Sequence, residues 1–290
     1  MTNSWRNAVL VTGASSGIGA ACARYLDAQG FSVFAGVRRV EDGEALRRLA
    51  SDRLTPLLLD VTDLVSIEAA RACVAEKVET AGLAGLVNNA GIAVAGPLEL
   101  LPLEDMRTQL EINVLGVLAV TQAFLPLVRK SGGRIINMSS IAGRAATPFL
   151  GAYCGSKFAL EAMTDALRLE LAPWGIRVTL IEPGAIQSNI WARSTLSATR
   201  ALAGVSADRL ALYEPQLRRL QEVLGRAAQR AIPSDEVARV VRHVMTVENP
   251  RARYLVGKDA KFRALLKRIL PDRLQDRLLA WYLGLSRTVS

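Results

Sequence analysis

Residues 7–19, "NAVLVTGASSGIG", run from an apolar stretch into a glycine-rich turn and on into the start of a helical pattern. Gly13, Gly17 and Gly19 stand there as G-x-x-x-G-x-G, with Ser15, Ser16 and Ile18 between them. Glycine at such a turn lets the backbone bend sharply and approach a pyrophosphate with no Cβ in the way, and the helix N-terminus behind it attracts phosphate. The bare pattern also serves close packing alone. Its position after the first strand and at the opening of a helix gives it weight.

The same rhythm continues outward. Six further apolar runs, "FSVFAG", "LTPLLLD", "AGLVNNAG", "RIINMSS", "IRVTLIEPG" and "RYLVG", bring the expected strands to about seven. Helical patterns lie between them near residues 17–29, 42–51, 63–80, 105–130, 152–172 and 234–248. Several runs are apolar nearly throughout, as expected when helices cover both faces of a parallel sheet. The alternation reads as an α/β fold, a Rossmann-type doubly wound parallel sheet in three layers (αβα). Residues 1–258 are expected to form one dinucleotide-binding domain, and residues 259–290 a helical C-terminal extension. Ligands of such sheets bind beyond the carboxyl ends of the strands. Here those ends are "TGASSGIG", Asp60, "NNAG", "NMSS" and "EPGAIQS", so polar groups from five segments converge on one cleft.

Composition narrows the function. A chain of 290 residues with 50% apolar content can bury one large core. Cys22, Cys73 and Cys154 are far apart and form no C-x-x-C, which points away from a disulfide framework or a metal site and toward a reducing compartment. The single histidine, His243, reads as structural, and its solitude argues against a Ser-His-Asp triad. An apolar strand begins by about residue 7, too early for a secretion signal. The most apolar stretch, residues 110–128, holds Glu111, Asn113, Gln122 and Pro126 and reads as a buried helix instead of a membrane span. A cytoplasmic protein is expected. Net charge is +9, and residues 251–290 carry most of it, with three lysines and seven arginines against three aspartates. Few aromatics accompany those cations, so nucleic acid is not the expected partner.

The second run leads into Arg38 and Arg39, where a dinucleotide fold selective for NAD commonly places an acid. Two cations there favour a 2′-phosphate and hence NADP(H), with NAD(H) as the alternative and Ser15 or Ser16 as added donors. Glu41 and Asp42 follow directly, and a solvated loop is the competing reading. Farther on, "YCGSK" sets Lys157 four residues after Tyr153, on the same face of a helix. A lone Y-x-x-x-K is more often a surface lysine beside a half-buried tyrosine.

With "TGASSGIG", "NNAG", Asn113, "NMSS", "YCGSK" and "EPGAIQS" in this order, the chain resembles the short-chain dehydrogenase/reductase family over roughly residues 7–257. The resemblance implies a catalytic tetrad of Ser140, Tyr153, Lys157 and Asn113, with Ser140 preferred to Ser139 for its 13-residue separation from Tyr153. A free tyrosine ionises near pH 10, and a neighbouring cation, together with an oxidised nicotinamide, is expected to lower that value. Lys157 would also bond the nicotinamide ribose, and Asn113 would join a water-mediated proton path toward Lys157. A merely structural amide is the competing role for Asn113. Asp60 and Val61 resemble the adenine contacts, although an aspartate there is also a common helix cap. Asn88, Asn89, Ala90 and Gly91 resemble the segment beneath the cofactor. Pro183, Gly184 and Ile186 resemble the turn at the nicotinamide, with Ser188 where the family often has threonine.

The resemblance also makes residues of about 189–230 a substrate lid. That lid is rich in leucine, alanine and arginine and holds Trp191 and Tyr213. Its apolar character suits a lipophilic alcohol or carbonyl substrate, and the motifs look most like the steroid- and retinoid-oxidising branch. The implied activity is NADP(H)-dependent interconversion of an alcohol and a ketone or aldehyde. The alternatives are a 3-oxoacyl thioester reductase and a non-catalytic dinucleotide-binding sensor or scaffold. A homodimer or homotetramer through the helices at 105–130 and 152–172 is implied as well. Apolar residues at helical spacing beyond 258, flanked by cations, are expected to dock on the body, with peripheral membrane contact as the second reading.

Overall fold

The computed structural model describes residues 7–188 and 204–285. Seven parallel strands form one sheet in the order β3-β2-β1-β4-β5-β6-β7. They are β1 (Ala8–Val11), β2 (Ser32–Val37), β3 (Leu54–Leu58), β4 (Gly85–Asn88), β5 (Arg134–Met138), β6 (Arg177–Pro183) and β7 (Arg253–Val256). The order reverses between β1 and β4, which opens a crevice at their carboxyl ends. Pro56 lies in β3, a sheet edge, where its missing N–H disturbs no inner ladder.

Strand alternation sends side chains into two cores. Val9 and Val11 point to the layer of α1 (Gly17–Ala28) and α2 (Val40–Arg47), which also receives the later helix Ser234–Thr246. Ala8 and Leu10 point the other way, with Phe34, Leu86 and Ile135, toward α3 (Leu64–Val78) and α5 (Gly116–Ser131), while α4 (Leu103–Leu110) packs on the later helix Gly151–Glu170. The inner strands are therefore buried on both faces, which is why they read as apolar throughout.

The stretch expected as one helix at 105–130 contains a π-helical turn, Glu111–Leu115, between α4 and α5. The whole segment Leu103–Ser131 is long and apolar enough to cross a membrane by length and composition, yet half of its most apolar window is buried. Val120, Phe124, Leu127 and Val128 pack in the core, which is the role of a sheet-covering helix.

After α6 (Gly151–Glu170) come α7 (Ala207–Ala211), α8 (Glu214–Gln229), α9 (Ser234–Thr246), α10 (Lys258–Ile269) and α11 (Asp272–Leu283). Trp191 and the first part of the expected lid lie outside the described residues. His243 sits on α9 edge-on to Tyr254 at 5.7 Å, as a structural aromatic contact. The C-terminal extension docks on the body. Ala260 and Leu283 are buried, α11 packs on α8, and Arg263 donates to Thr147 Oγ1 at 2.9 Å.

Candidate active site

The glycine turn is built from both sides. Gly13 holds φ +64°, and a Cβ there would lie 2.7 Å from Ala90 Cα. Thr12 Oγ1 accepts from the N–H groups of Asn89 and Ala90 at 2.9 and 3.0 Å, and Asn89 Nδ2 donates back to the Thr12 carbonyl at 3.0 Å. These bonds lock β1 to β4 at the switch point. Ser16 is the N-cap of α1 but makes no capping bond from its side chain, and the first turn carries no acid. An uncapped helix N-terminus opening on a cleft lined by Ser15, Ser16, Gly17 and Ile18 fits a dinucleotide pyrophosphate. Gly19 does not line the cleft; a Cβ there would run into the Gly13 carbonyl, so its place in the turn is one of close packing.

At the far end the cleft is lined by Arg38, Asp60 and Val61. Arg39 is not part of that wall. Its guanidinium pairs with Asp42 at 2.8 Å on the exposed start of α2, so of the two cations Arg38 alone faces the cleft. Asp60 Oδ1 accepts from the Thr62 N–H and hydroxyl at 3.0 and 2.8 Å, while Asp63 caps α3. The asparagines divide their work. Asn89 and Ala90 border the cleft, whereas Asn88 is buried and donates to Thr121 Oγ1 and Asn137 Oδ1, both at 2.9 Å.

Ser140, at the end of β5, and Tyr153 and Lys157, one turn apart on α6, meet at the back of this cleft. The Tyr153 hydroxyl hydrogen-bonds Ser140. Ser140 Oγ also accepts from the Ala142 N–H at 3.1 Å, which fixes its position. Lys157 Nζ donates to the Met138 carbonyl at 2.8 Å and lies 5.8 Å from the centre of the Tyr153 ring.

Among the protein's own groups, burial is the largest influence on the tyrosine. Burial pushes the Tyr153 phenol up to about 12, with the Ser140 bond opposing that rise. Burial pushes Lys157 down to about 8, partly offset by the carboxylate of Glu161 one turn on. The lysine is buried beside the phenol, and desolvation dominates both groups. Behind them Arg253 bonds Glu161 at 3.0 Å and lies 3.4 Å from Glu182, which also pairs with Arg144 at 2.7 Å. These buried charges were invisible at the level of motifs.

Asn113 is fully buried behind the cleft wall. Its Oδ1 accepts from the Ile92 N–H at 2.9 Å, and its Nδ2 donates to the Ile92 carbonyl and Ser156 Oγ at 3.0 and 3.1 Å. Ser156 in turn donates to the Tyr153 carbonyl at 2.7 Å. The amide thus ties the segment after β4 to the helix that carries Tyr153, with its bonds going to Ile92 and Ser156.

Pro183, Gly184, Ile186 and Ser188 line the cleft from the turn after β6. That turn is pinned on several sides: Gly184 N–H donates to the Val256 carbonyl at 2.9 Å, Ile232 N–H to the Ala185 carbonyl at 3.1 Å, and Ala185 N–H to Asp259 at 2.7 Å. Gly91 packs beneath, where a Cβ would sit 3.2 Å from Asn113 Oδ1. Tyr153 packs in a small buried apolar cluster with Ala93, Ala95, Ala142, Leu150 and Cys154. Tyr213, between the two lid helices, donates to Glu99 at 2.5 Å and meets the Phe149 ring edge-on at 6.3 Å.

The sequence profile described as short chain dehydrogenase matches residues 7–198. Human (Homo sapiens) retinol dehydrogenase 5 is 38% identical over 289 residues, covering 95% of this chain and 88% of that protein. Human 17-beta-hydroxysteroid dehydrogenase type 6 is also 38% identical, over 93% of this chain and 87% of its own length. A solved short chain dehydrogenase from Burkholderia cenocepacia J2315, in complex with NADP, superposes with a TM-score of 0.71 at 27% identity, over 94% of this chain and 97% of that one.

Proposed function

The chain belongs to the short-chain dehydrogenase family, in its retinol and hydroxysteroid dehydrogenase branch, and on that premise we propose that it interconverts an alcohol and a ketone or aldehyde on a steroid-, retinoid- or lipid-like substrate. Oxidoreduction at a CH–OH group and NAD(P) binding follow from the family; the lipophilic substrate, the preference for NADP(H) and the residue roles are our reading. The observation that carries it is the Ser140–Tyr153 hydroxyl pair, set beside buried Lys157 at the inner end of a cleft that begins at an uncapped helix N-terminus.

Ser15, Ser16 and the first turn of α1 would hold the pyrophosphate, Arg38 the 2′-phosphate, and the Pro183–Ser188 turn the nicotinamide. The bound dinucleotide supplies the hydride donor or acceptor and, when oxidised, a positive charge that favours phenolate. Tyr153 gives a proton to the carbonyl oxygen in reduction or takes one from the hydroxyl in oxidation. Ser140 orients that same oxygen, and Lys157 keeps a cation next to the phenol. Support for a ring or chain substrate comes from the similarity to retinol and hydroxysteroid dehydrogenases, and from the apolar packing of Ala93, Ala95, Ala142 and Leu150 around Tyr153.

Purified protein with NADPH or NADH and a panel of hydrophobic ketones and aldehydes tests this. Turnover is expected to fall at least about a hundredfold in Tyr153→Phe while dinucleotide affinity is kept. Unchanged turnover in that variant, or none with any member of the panel in the wild type, overturns the reading.

A further inference from the structure

The C-terminal extension reaches back to the turn that borders the crevice. We propose that Asp259, in the first turn of α10, is a positioning residue that clamps the Pro183–Gly184–Ala185 turn and so sets the geometry of the nicotinamide end of the cleft. The inference rests on the dinucleotide reading above and deepens it by assigning a part of that site to a segment beyond the sheet.

Three observations converge. Asp259 Oδ2 accepts from the Ala185 N–H at 2.7 Å, a charge-assisted bond spanning 74 residues of sequence. The carboxylate lies directly over Gly184, where any Cβ would run into both of its oxygens, and a Cβ on Gly257 would come within 2.5 Å of Oδ1. Gly257 adopts φ +106°, which turns the chain sharply between β7 and α10. A Cβ at Gly184 is thus accommodated only by moving the carboxylate, and Gly257 is favoured by its positive φ as well. Meanwhile the Gly184 N–H bonds the Val256 carbonyl at 2.9 Å, so the turn is tied to β7 and α10 by successive N–H groups.

The turn so held carries Pro183, Gly184, Ile186 and Ser188, which line the cleft on the side of Ser140. Ser140 Oγ itself lies 3.5 Å from the Pro183 carbonyl. A shift of the turn therefore displaces the cleft wall next to the reacting hydroxyls, while the glycine turn and Arg38 at the far end stay in place. The arm that positions Asp259 is anchored independently, by buried Ala260 and by Arg263, which donates to Thr147 Oγ1.

The test compares ligands with and without the nicotinamide. Full-length wild type, Asp259→Ala and Asp259→Asn are titrated calorimetrically with NADPH and with 2′-phospho-ADP-ribose, and in parallel with NADH and ADP-ribose. Asp259→Ala is expected to weaken the complete dinucleotide about fivefold and to leave the truncated ligand within about twofold, because one bond to the turn is lost and the phosphate end is intact. Asp259→Asn, whose Oδ1 can accept the same bond, is expected to recover most of the loss. Equal weakening of both ligands, or no weakening of either, overturns the clamp and leaves the functional reading standing. A wild-type chain that binds none of the four ligands overturns the dinucleotide reading and the clamp with it.

Discussion

Tyr153 and Lys157 share a helical turn and a buried wall, and each is driven toward its neutral form by loss of water. For Lys157 the sign of the pH effect follows directly. The group titrates near 8 in the fold against 10.5 in the unfolded chain, so across that window the unfolded chain holds the extra proton. Stability contributed by this site therefore rises as pH increases from about 8 toward 10.5. Urea unfolding at pH 7.5 and 9.5 should show wild type gaining about 2 kcal/mol over that interval relative to Lys157→Met. Parallel curves for the two proteins would remove the assignment. The spacing of Tyr153 and Lys157 was legible in the sequence because four residues make a helical turn. Their protonation was not, since it depends on burial by residues from other strands. The same holds for Arg38 and Arg39, adjacent in sequence but divided in space when Asp42 draws Arg39 to the start of α2.

Elements show a similar split. The strands and their helices could be read from apolar runs because sheet faces buried on both sides permit little else. The π-helical turn at Glu111–Leu115 left no comparable mark, since an extra residue in a helix shifts the ladder without changing composition. Its effect is local and testable: it carries Asn113, whose side chain satisfies both the N–H and the carbonyl of Ile92. Asn113→Ala strands the Ile92 N–H and removes the bond to Ser156, while the Ile92 carbonyl keeps a donor in Gln109 Nε2 at 2.9 Å, and it should lower unfolding free energy by about 2 kcal/mol in chemical denaturation. A loss below about 0.5 kcal/mol would show that Ile92 finds other partners. The helices of the tail were likewise foreseen as amphipathic, but only packing revealed that α11 leans on α8.

Taken as a whole, the molecule has an uneven exterior. The tail docks by one side and leaves Phe262, Leu265, Ile269, Leu274, Leu278 and Trp281 exposed on the other, in the segment that holds most of the net positive charge. That combination suits an anionic bilayer from which a lipophilic substrate would be drawn. Vesicles containing phosphatidylserine should bind the protein about tenfold more tightly than neutral ones at low salt. Phe262→Ser with Trp281→Ser should reduce that binding, and equal partition into both vesicle types would sink the idea. The sheet order carries a different implication. Because β7 and Asp259 follow all the other strands in the polypeptide, a nascent chain leaving the ribosome presents its phosphate-binding half long before the opposite wall exists. The two ends of the crevice are thus born at different moments of translation, and the chamber acquires its final contour only once the segment beyond β7 has emerged.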